Sequence, residues 1–423
     1  MKILMVNKFF HVVGGSETYY FALKRLLEAK GHEVIDFSMK DDSNYSSPYE
    51  SYFVENVDYK NMGGLVKKAK AGLNIIYSKE AKNKFEQLVI DTKPDLIHLH
   101  LFQHQISPSI LSVIKKYNIP TVYTAHELKM ICPNYRMFQN GQICEKCKGG
   151  KYYHCALNKC LKGSLAMSII TMLEGYYHKI HKSYDSVDVI ITPSNFYKKK
   201  FEEFGVSSDR VIHISNFLDS QKPEINKTSD SEQYYLYFGR LSGEKGLLTL
   251  LEAFRQCGQN LYIAGTGDME SQIVQYIKMH NMKNVKLLGF KSGSDLQDLV
   301  GNSKAVILTS EWYENGPYSA IEALQLGRPI IGTAIGGIPE LVKGNGYLFK
   351  KGDAEELAAC IMKMEAASSD EYDSMKAASL QLFEQEYTAE NHFKKLEDAY
   401  KKALEKRGKV NNESNSILSP TVS

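Results

Sequence analysis

The sequence predicts an α/β protein of two domains, each built around a parallel β-sheet. Short apolar runs of strand length alternate along the chain with segments of helical periodicity. The chain has 423 residues, which is enough for two hydrophobic cores. A polar stretch interrupts the alternation and is typical of a linker. We expect a first domain at 1–217, a linker at 218–233, a second domain at 234–385, a last helix at 386–407 and a disordered polar tail at 408–423.

The first predicted unit is a strand at 3–6, a glycine loop, a helix at 18–30 and a second strand at 33–37. Gly14 and Gly15 precede the helix, and their missing side chains let a phosphate or a sugar approach the backbone closely. The loop lacks the G-x-G-x-x-G spacing. Dinucleotide binding is therefore disfavoured.

Two further predicted strands, at 94–100 and 119–127, carry histidines near their ends. The alternation of a strand places His98 and His100 on one face, where we interpret them as lining a cleft. A metal pair is the less favoured alternative. His126 lies at the carboxyl end of the second strand, where open α/β folds bind ligands. Its alternative is a structural hydrogen-bonding role.

Five of the seven cysteines fall between positions 132 and 160. The C-x-x-C spacing of Cys144 and Cys147 can hold one edge of a tetrahedral zinc site, and two more ligands would close it. Few core residues lie nearby, so a metal would supply the order. A disulfide framework is disfavoured because the sequence predicts no signal peptide, and free thiols are the main alternative. The best tetrad is Cys132, Cys144, Cys147 and Cys160, with His154 or Cys155 as substitutes.

Residues 309–342 are predicted to form a strand, a loop, a helix and another strand. Glu314 lies in the loop and Glu322 one turn into the helix, so both carboxylates can face one crevice. The helix start attracts phosphate, and a carboxylate one turn further in can accept hydrogen bonds from a ribose. The alternative is a loop cap and a solvated helix residue.

The second domain opens with a strand at 234–238 that delivers Arg240 to a loop. Lys245 is predicted at the start of the next helix. Two cations so placed can neutralise a diphosphate, each charge-assisted hydrogen bond contributing about 1.5–3 kcal/mol.

Charge is distributed unevenly. Residues 1–217 carry 29 Lys and Arg against 21 Asp and Glu, whereas the remainder carries 23 against 28. The basic half suits an anionic acceptor or membrane surface, unless its lysines are only solvated surface. Residues 64–77 mix apolar and basic residues at near-helical spacing, which fits a bilayer surface or an ordinary amphipathic helix. No apolar run is long enough to span a membrane, and no recognised motif supports nucleic-acid binding.

The segments E-N-G-P-Y-S-A-I-E-A-L, G-R-P-I-I-G-T and G-G-I-P-E-L-V resemble the signature of the retaining glycosyltransferases of family 4, which have the GT-B fold. The resemblance spans nearly the whole chain. The family's E-x7-E pattern maps onto Glu314 and Glu322, and its G-R-x4-K pair onto Arg240 and Lys245. It implies two Rossmann-like domains facing a central cleft, of which the first is on the acceptor side. The cysteine pattern adds an insert at 128–163 to that first domain. The last helix would return toward that domain.

The resemblance also implies roles for individual residues. Glu314 would lie near the donor sugar, Glu322 would bind the ribose, and His126 would contact the donor sugar or the reaction centre. Gly14 and Gly15 would face the donor diphosphate across the cleft. The departing diphosphate would be stabilised without a catalytic metal. The remaining donor-binding positions are Gly316, Pro317, Tyr318 and Ser319.

We therefore expect a cytoplasmic, peripheral retaining glycosyltransferase that uses a UDP- or GDP-sugar. The expected acceptor is a glycan or a lipid-linked oligosaccharide of a capsule or other surface polysaccharide, at the inner face of the cell membrane. The alternatives are a nucleotide-sugar epimerase of the same fold and a sugar-nucleotide sensor or zinc-dependent scaffold without turnover.

Overall fold

A computed structural model describes residues 1–56, 72–219, 223–226 and 233–408. It contains two six-stranded parallel sheets, so the predicted fold class is confirmed. The first lobe is built on the order β2-β1-β3-β4-β7-β8, and the second lobe on β11-β10-β9-β12-β13-β14. The tail beyond Gly408, most of the predicted linker, and residues 64–71 of the predicted amphipathic stretch lie outside the described ranges.

The strands of the first sheet are short and apolar because helices cover both faces. Ile3 and Met5 pack into a core on one face, whereas Leu4 and Val6 pack into a core on the other. The strands of this lobe are β1 Lys2–Val6, β2 Glu33–Phe37, β3 Leu96–Leu99, β4 Thr121–Thr124, β5 Phe138–Gln139, β6 Gln142–Ile143, β7 Val189–Thr192 and β8 Val211–His213.

The helices of the first lobe are Gly15–Ala29, Lys79–Thr92, Leu111–Tyr117, Tyr153–Leu157, Leu165–Ile180 and Asn195–Glu203, and residues 72–76 are also helical. The first of these begins at Gly15, not at Thr18 as predicted. The Gly14 N–H donates to the Glu17 carboxylate at 3.1 Å, and this cap starts the helix three residues earlier.

The second lobe repeats the same two-faced arrangement around its own sheet. Tyr235 and Tyr237 face one core, and Leu236 and Phe238 face the other. Its strands are β9 Tyr235–Phe238, β10 Leu261–Ala264, β11 Val285–Gly289, β12 Val306–Leu308, β13 Ile330–Thr333 and β14 Gly346–Phe349. Its helices are Leu247–Cys257, Glu270–Met279, Gly293–Asn302, Tyr318–Gln325, Ala354–Ala366 and Ser369–Glu386.

The last helix, Ala389–Lys406, packs on the first lobe. Phe393, Leu396 and Tyr400 enter the same core as Ile3 and Met5. The chain therefore crosses between the lobes twice, and Leu218 pairs with Thr388 where the two crossings meet.

The Cys-rich segment at 128–163 lies between β4 and the helix Leu165–Ile180. It holds the antiparallel hairpin of β5 and β6, with Phe138 opposite Ile143, and the short helix Tyr153–Leu157. We refer to residues 128–163 as the insert.

Candidate active site

The core of the site is an ion pair between Glu314 and Lys245. The Lys245 Nζ donates to Glu314 Oε1 at 2.6 Å, and the two side chains are only 19% and 9% exposed. The Ser310 hydroxyl at 2.5 Å and the Trp312 indole N–H at 2.8 Å donate to the same oxygen. Burial opposes the charged form of Glu314, yet Lys245 and these donors hold its pKa below the ordinary value. The Glu314 carboxylate is therefore ionised and fixed in place.

Two glycines let the backbone segments of this site approach one another. Gly246 has a φ of 66°, and a Cβ there would lie 2.1 Å from the Thr309 carbonyl oxygen. Gly336 has a φ of 62°, and a Cβ there would lie 2.6 Å from the Glu314 nitrogen. Both positions need a left-handed backbone and no side chain. The loop that carries Glu314 is thus packed between two glycine turns.

The sequence predicts Lys245 at the start of a helix, and this prediction is wrong. Lys245 ends a 3-10 turn at Gly243–Lys245, and the helix starts at Leu247. Gly246, at φ 66°, separates the two. The Thr309 hydroxyl donates to the Lys245 carbonyl at 2.7 Å, which holds the turn against the end of β12.

Arg240 has partners that the sequence did not indicate. Its side chain is 63% exposed, and its guanidinium donates to Glu244 Oε1 at 3.1 Å. Arg136 of the insert pairs with the same oxygen at 2.8 Å and lies 5.0 Å from the Trp312 ring centre. The predicted pair of cations is thus divided. Lys245 is anchored on Glu314, whereas Arg240 reaches solvent beside a second arginine.

Glu322 lies one turn into the helix Tyr318–Gln325, as predicted. Burial raises the pKa of its carboxyl to about 7. Hydrogen-bond donors or a cation brought by a ligand would stabilise its charged form. The group is consequently poised to change protonation when a ligand binds.

His126 and His100 form part of a stack of buried rings. His126 Nε2 and His100 Nδ1 are 3.1 Å apart, and the rings are nearly parallel at 5.4 Å. Burial lowers the pKa of His126 to about 3, so its imidazole is neutral at pH 7. His98 has both ring nitrogens engaged, by the Tyr400 hydroxyl and Thr124 Oγ1 at 2.8 Å each.

The interpretation of His98 and His100 as cleft-lining residues is wrong. Both are fully buried beneath the surface of the site, because Tyr400 of the last helix covers His98 while the rings of Tyr19 and Tyr20 pack against His100. Both ring nitrogens of His98 are hydrogen-bonded, so neither is free to bind a metal. The structure therefore also argues against the alternative of a metal pair formed by His98 and His100. The structure leaves His126 as the histidine of this group nearest the site.

Contacts between the lobes bring the predicted residues together. Asn315 Nδ2 donates to the carbonyl of Ala125, the residue before His126, at 2.9 Å. The Asn216 side chain donates to the Gly316 carbonyl at 2.9 Å. A Cβ on Gly15 would lie 3.2 Å from the Tyr318 ring. The glycine loop, His126 and the start of the helix that carries Glu322 therefore surround the Glu314 loop.

Glu127 is a candidate that sequence reasoning missed, although it directly follows His126. Burial raises the pKa of its carboxyl to about 6, against the opposing charges of Lys8 and Lys129. Lys129 itself is paired with Glu174 at 2.7 Å, and both side chains are 3% exposed. The first lobe thus adds a carboxyl that titrates near neutrality. Its position next to His126 in the sequence was the one feature that could have identified it as a candidate.

The thiols of the predicted tetrad, Cys132, Cys144, Cys147 and Cys160, line one cavity together with Cys155. His154 does not line it. All seven cysteines are free thiols. Within the described ranges, no three His, Cys, Asp or Glu side chains are already positioned to hold a metal ion. The structure therefore gathers the sulfur ligands without presenting a preformed site.

Two family models match the chain. One is described as glycosyl transferases group 1 and matches residues 219–381. The other is described as glycosyltransferase family 4 and matches residues 13–222. The two matches divide at the boundary between the lobes and together include every residue of the candidate donor site.

Curated relatives are distant but extend over much of the chain. A Klebsiella pneumoniae protein named as an uncharacterized 42.6 kDa protein in the cps region is 23% identical over 407 residues, which are 93% of this chain and 99% of that protein. The amylovoran biosynthesis glycosyltransferase AmsK of Erwinia amylovora is 28% identical over 198 residues, which are 43% of this chain and 49% of that protein.

Solved structures share the two-lobed fold. Sucrose-phosphate synthase from Thermosynechococcus elongatus gives a TM-score of 0.72 at 17% identity, over 96% of this chain and 100% of that chain. Anabaena HepE in complex with UDP and glucose gives 0.64 at 18% identity, over 95% of this chain and 99% of that chain. At this level of identity the likeness establishes the fold.

We predict that Gly336→Ala destabilises the second lobe more than Gly344→Ala does, by roughly 1–3 kcal/mol. Both glycines have positive φ, at 62° and 77°, so the cost of the left-handed backbone is common to both. A Cβ at position 336 would collide with the Glu314 backbone, whereas nothing lies within 4 Å of one at 344. Urea unfolding of the two variants measures the difference, and equal losses would refute the proposed packing of the loop.

Proposed function

Because the chain belongs to the group 1 and family 4 glycosyltransferases, we propose that it transfers a sugar from a nucleotide-diphosphate sugar to an acceptor hydroxyl with retention of configuration. The observation that carries this proposal is the fixed Lys245 and Glu314 pair at the meeting of the two lobes. The cation can bind a diphosphate, and the carboxylate beside it can bind a hydroxyl of the attached sugar.

In the proposed complex, Lys245 binds the donor diphosphate. Its ammonium group has three N–H donors, and one is used by Glu314. The other two are available to phosphate oxygens. Arg240 adds a second cation from the solvent side, and the amides at Gly316 to Ser319 add the positive end of the helix Tyr318–Gln325.

The two carboxylates then bind the two ends of the donor. The three hydrogen bonds that hold Glu314 all end on Oε1, and Oε2 takes part in none of them. We assign Oε2 to a hydroxyl of the donor sugar. Glu322 accepts hydrogen bonds from the ribose hydroxyls. These donors replace the water molecules that the buried carboxylate has lost.

The proposed transfer takes place on one face of the sugar. The bond between the anomeric carbon and the phosphate oxygen breaks, and its electron pair leaves with the diphosphate. The acceptor oxygen bonds to the anomeric carbon from the same face, and its proton passes to the departing phosphate oxygen. Lys245 stabilises the negative charge that develops there, and neutral His126 contributes a hydrogen bond at the reaction centre.

For the acceptor we propose a lipid-linked oligosaccharide of a surface polysaccharide. The cps-region and amylovoran relatives support a role in polysaccharide biosynthesis. None of the helices in the described part of the chain combines the length and the apolar character that crossing a bilayer requires. Contact with a lipid acceptor would therefore come from a surface of the protein.

The helix Leu165–Ile180 supplies such a surface. Leu165, Ile169 and Leu173 recur every four residues and are 50%, 38% and 47% exposed. Four exposed lysines flank them at positions 159, 162, 179 and 182. Charge complementarity favours an anionic bilayer as the occupant, with apolar side chains among the acyl chains and lysines at the headgroups. This surface is a second candidate for membrane contact beside residues 64–77, of which 64–71 lie outside the described ranges.

The helix also lies on the acceptor side of the cleft. Glu174, on this helix, pairs with Lys129, which follows His126 by three residues. Gly175 packs against Tyr152 of the insert. A bilayer seated on this face would thus lie close to the half of the cleft to which we assign the acceptor.

Transfer is tested with UDP-, GDP- and ADP-sugars, first by thermal stabilisation and then by turnover with lipid-linked acceptors. We expect Lys245→Ala to lower kcat by about 100- to 1000-fold, because charge on the leaving diphosphate loses its main partner. The matched control is Lys343→Ala, at an exposed lysine. Its kcat should stay within about twofold of that of the unsubstituted protein.

The product identifies the reaction. An α-linked product from an α-linked donor, read by NMR, supports retention, whereas inversion contradicts it. A new sugar epimer formed from the donor alone would instead indicate an epimerase. Binding without any product would indicate a sensor.

Donor binding is expected to strengthen with rising pH through about 7. The free Glu322 carboxyl has a pKa of about 7, and ribose hydroxyls favour its charged form, so binding releases a proton. Between pH 6 and pH 8 the Kd of a nucleotide sugar should fall by roughly tenfold. Calorimetry with Glu322→Gln should give weaker binding without this pH dependence. Retention of the full dependence in that variant would remove Glu322 from the ribose site.

Membrane binding is tested with sedimenting vesicles, either of phosphatidylcholine alone or with phosphatidylglycerol added. Replacing Leu165, Ile169 and Leu173 together by Ser should lower the partition to anionic vesicles by at least about tenfold, since three apolar contacts are lost. The control is Met279→Ser, a 69% exposed apolar residue of the second lobe. Equal binding of the triple variant, or equal binding to neutral vesicles, would refute the assignment.

A further inference from the structure

The insert contains a cluster of cysteines to which the proposed transfer gives no role. Five thiols line one cavity, from Cys132, Cys144, Cys147, Cys155 and Cys160. The other two cysteines, Cys257 and Cys360, lie in the second lobe. Sulfur ligands gathered from a polar segment are typical of structural zinc sites.

The first pair of thiols lies on a tight turn that follows the hairpin of β5 and β6. The Cys144 N–H donates to the Met137 carbonyl at 2.8 Å, which ties the pair to the hairpin. The Gly150 and Lys151 N–H groups donate to the Cys147 carbonyl at 3.0 and 3.2 Å. Gly150 has a φ of 77°, so the chain reverses directly after the second cysteine. Cys144 and Cys147 can therefore share one edge of a tetrahedron.

The other thiols lie on separate turns around the same cavity. The Cys160 N–H donates to the Cys155 carbonyl at 3.0 Å, and both thiols line the cavity. The Cys132 N–H donates to the Leu128 carbonyl at 2.8 Å, and the Cys132 carbonyl accepts the Tyr135 N–H at 2.7 Å, so Cys132 also lies on a hydrogen-bonded turn.

We propose that the insert binds one zinc ion through Cys144, Cys147 and two of the remaining three thiols, and that the metal holds the insert against the second lobe. Zn–S bonds of about 2.3 Å place the sulfurs of a tetrahedral site about 3.8 Å apart. Within the described residues, the thiols surround the cavity without three of them being placed to hold an ion. Zinc binding would therefore draw the thiols together around the ion, as thiolates.

The contacts between the insert and the second lobe come from residues next to the cysteines. Glu145, inside the C-x-x-C turn, accepts the Tyr313 hydroxyl at 2.7 Å. Arg136, between Cys132 and Cys144, pairs with Glu244 at 2.8 Å and covers the Trp312 ring. Tyr313 and Trp312 directly precede Glu314. A metal that fixes the insert would thus fix the surroundings of the Glu314 loop.

Metal analysis of the purified full-length protein tests the site, without any nucleotide sugar. We expect about one zinc ion per chain, lost in Cys144→Ser and in Cys147→Ser. Of Cys132→Ser, Cys155→Ser and Cys160→Ser, two should lose the metal and one should keep it. Cys257→Ser and Cys360→Ser are the matched controls and should retain it. Protein prepared with added zinc that carries none, or controls that lose as much, would overturn the proposal.

Trp312 reports the coupling, because it is the single tryptophan of the sequence. Removing zinc with a chelator should shift its fluorescence, and adding zinc back should restore it. In Arg136→Ala the chelator should still remove the metal, with a smaller fluorescence shift. An unchanged spectrum on metal loss would overturn the claim that the ion holds the insert in place. Both measurements are independent of sugar transfer, so they can succeed where the proposed activity fails.

Discussion

The candidate site depends on one partly buried ion pair, between Glu314 and Lys245. Removing two charges from water is costly, and a single contact seldom offsets the cost. Here the carboxylate also accepts Ser310 and Trp312 on the oxygen that faces the lysine, which stabilises the charged form. The result is a cation whose position is set before any ligand arrives. Such preorganisation is what stabilisation of a departing diphosphate requires.

The loop that carries Glu314 also makes contacts between the lobes. Asn315 bonds the carbonyl before His126, and the Gly316 carbonyl accepts Asn216. The Gly337 N–H donates to the Glu314 carbonyl at 2.8 Å from the opposite side. A shift of the loop would therefore break contacts in both lobes at once.

A large part of the fold could be predicted from the sequence. The strands are buried on both faces, so short apolar runs marked them directly, and the helix Tyr318–Gln325 was bounded by Pro317 and Gly327. The partners in the site could not be predicted. Lys245 and Glu314 are 69 positions apart, and His98 is covered by Tyr400 from 302 positions away.

The positions of the site side chains could be predicted from the sequence less well than their motifs suggest. Arg240 was paired with Lys245 by spacing along the chain, but Glu244 and Arg136 of the insert decide where its guanidinium lies. The start of the first helix moved to Gly15 because one carboxylate, Glu17, caps it. In each case a tertiary or local hydrogen bond, absent from any periodic pattern, determined the position.

The buried histidines limit which group can take a proton in the proposed transfer. His126 is stacked on His100, and its pKa of about 3 makes it a weaker base than an ordinary carboxylate in water. Glu314 is also a weak base, because Lys245 and two further donors stabilise its charged form. The departing phosphate oxygen gains negative charge as the bond to the sugar breaks, so its basicity rises when a proton must be accepted. For the proposed transfer, the electrostatics of the site thus favour passing the acceptor's proton to the leaving group, and leave to His126 and Glu314 the proposed role of positioning the sugar.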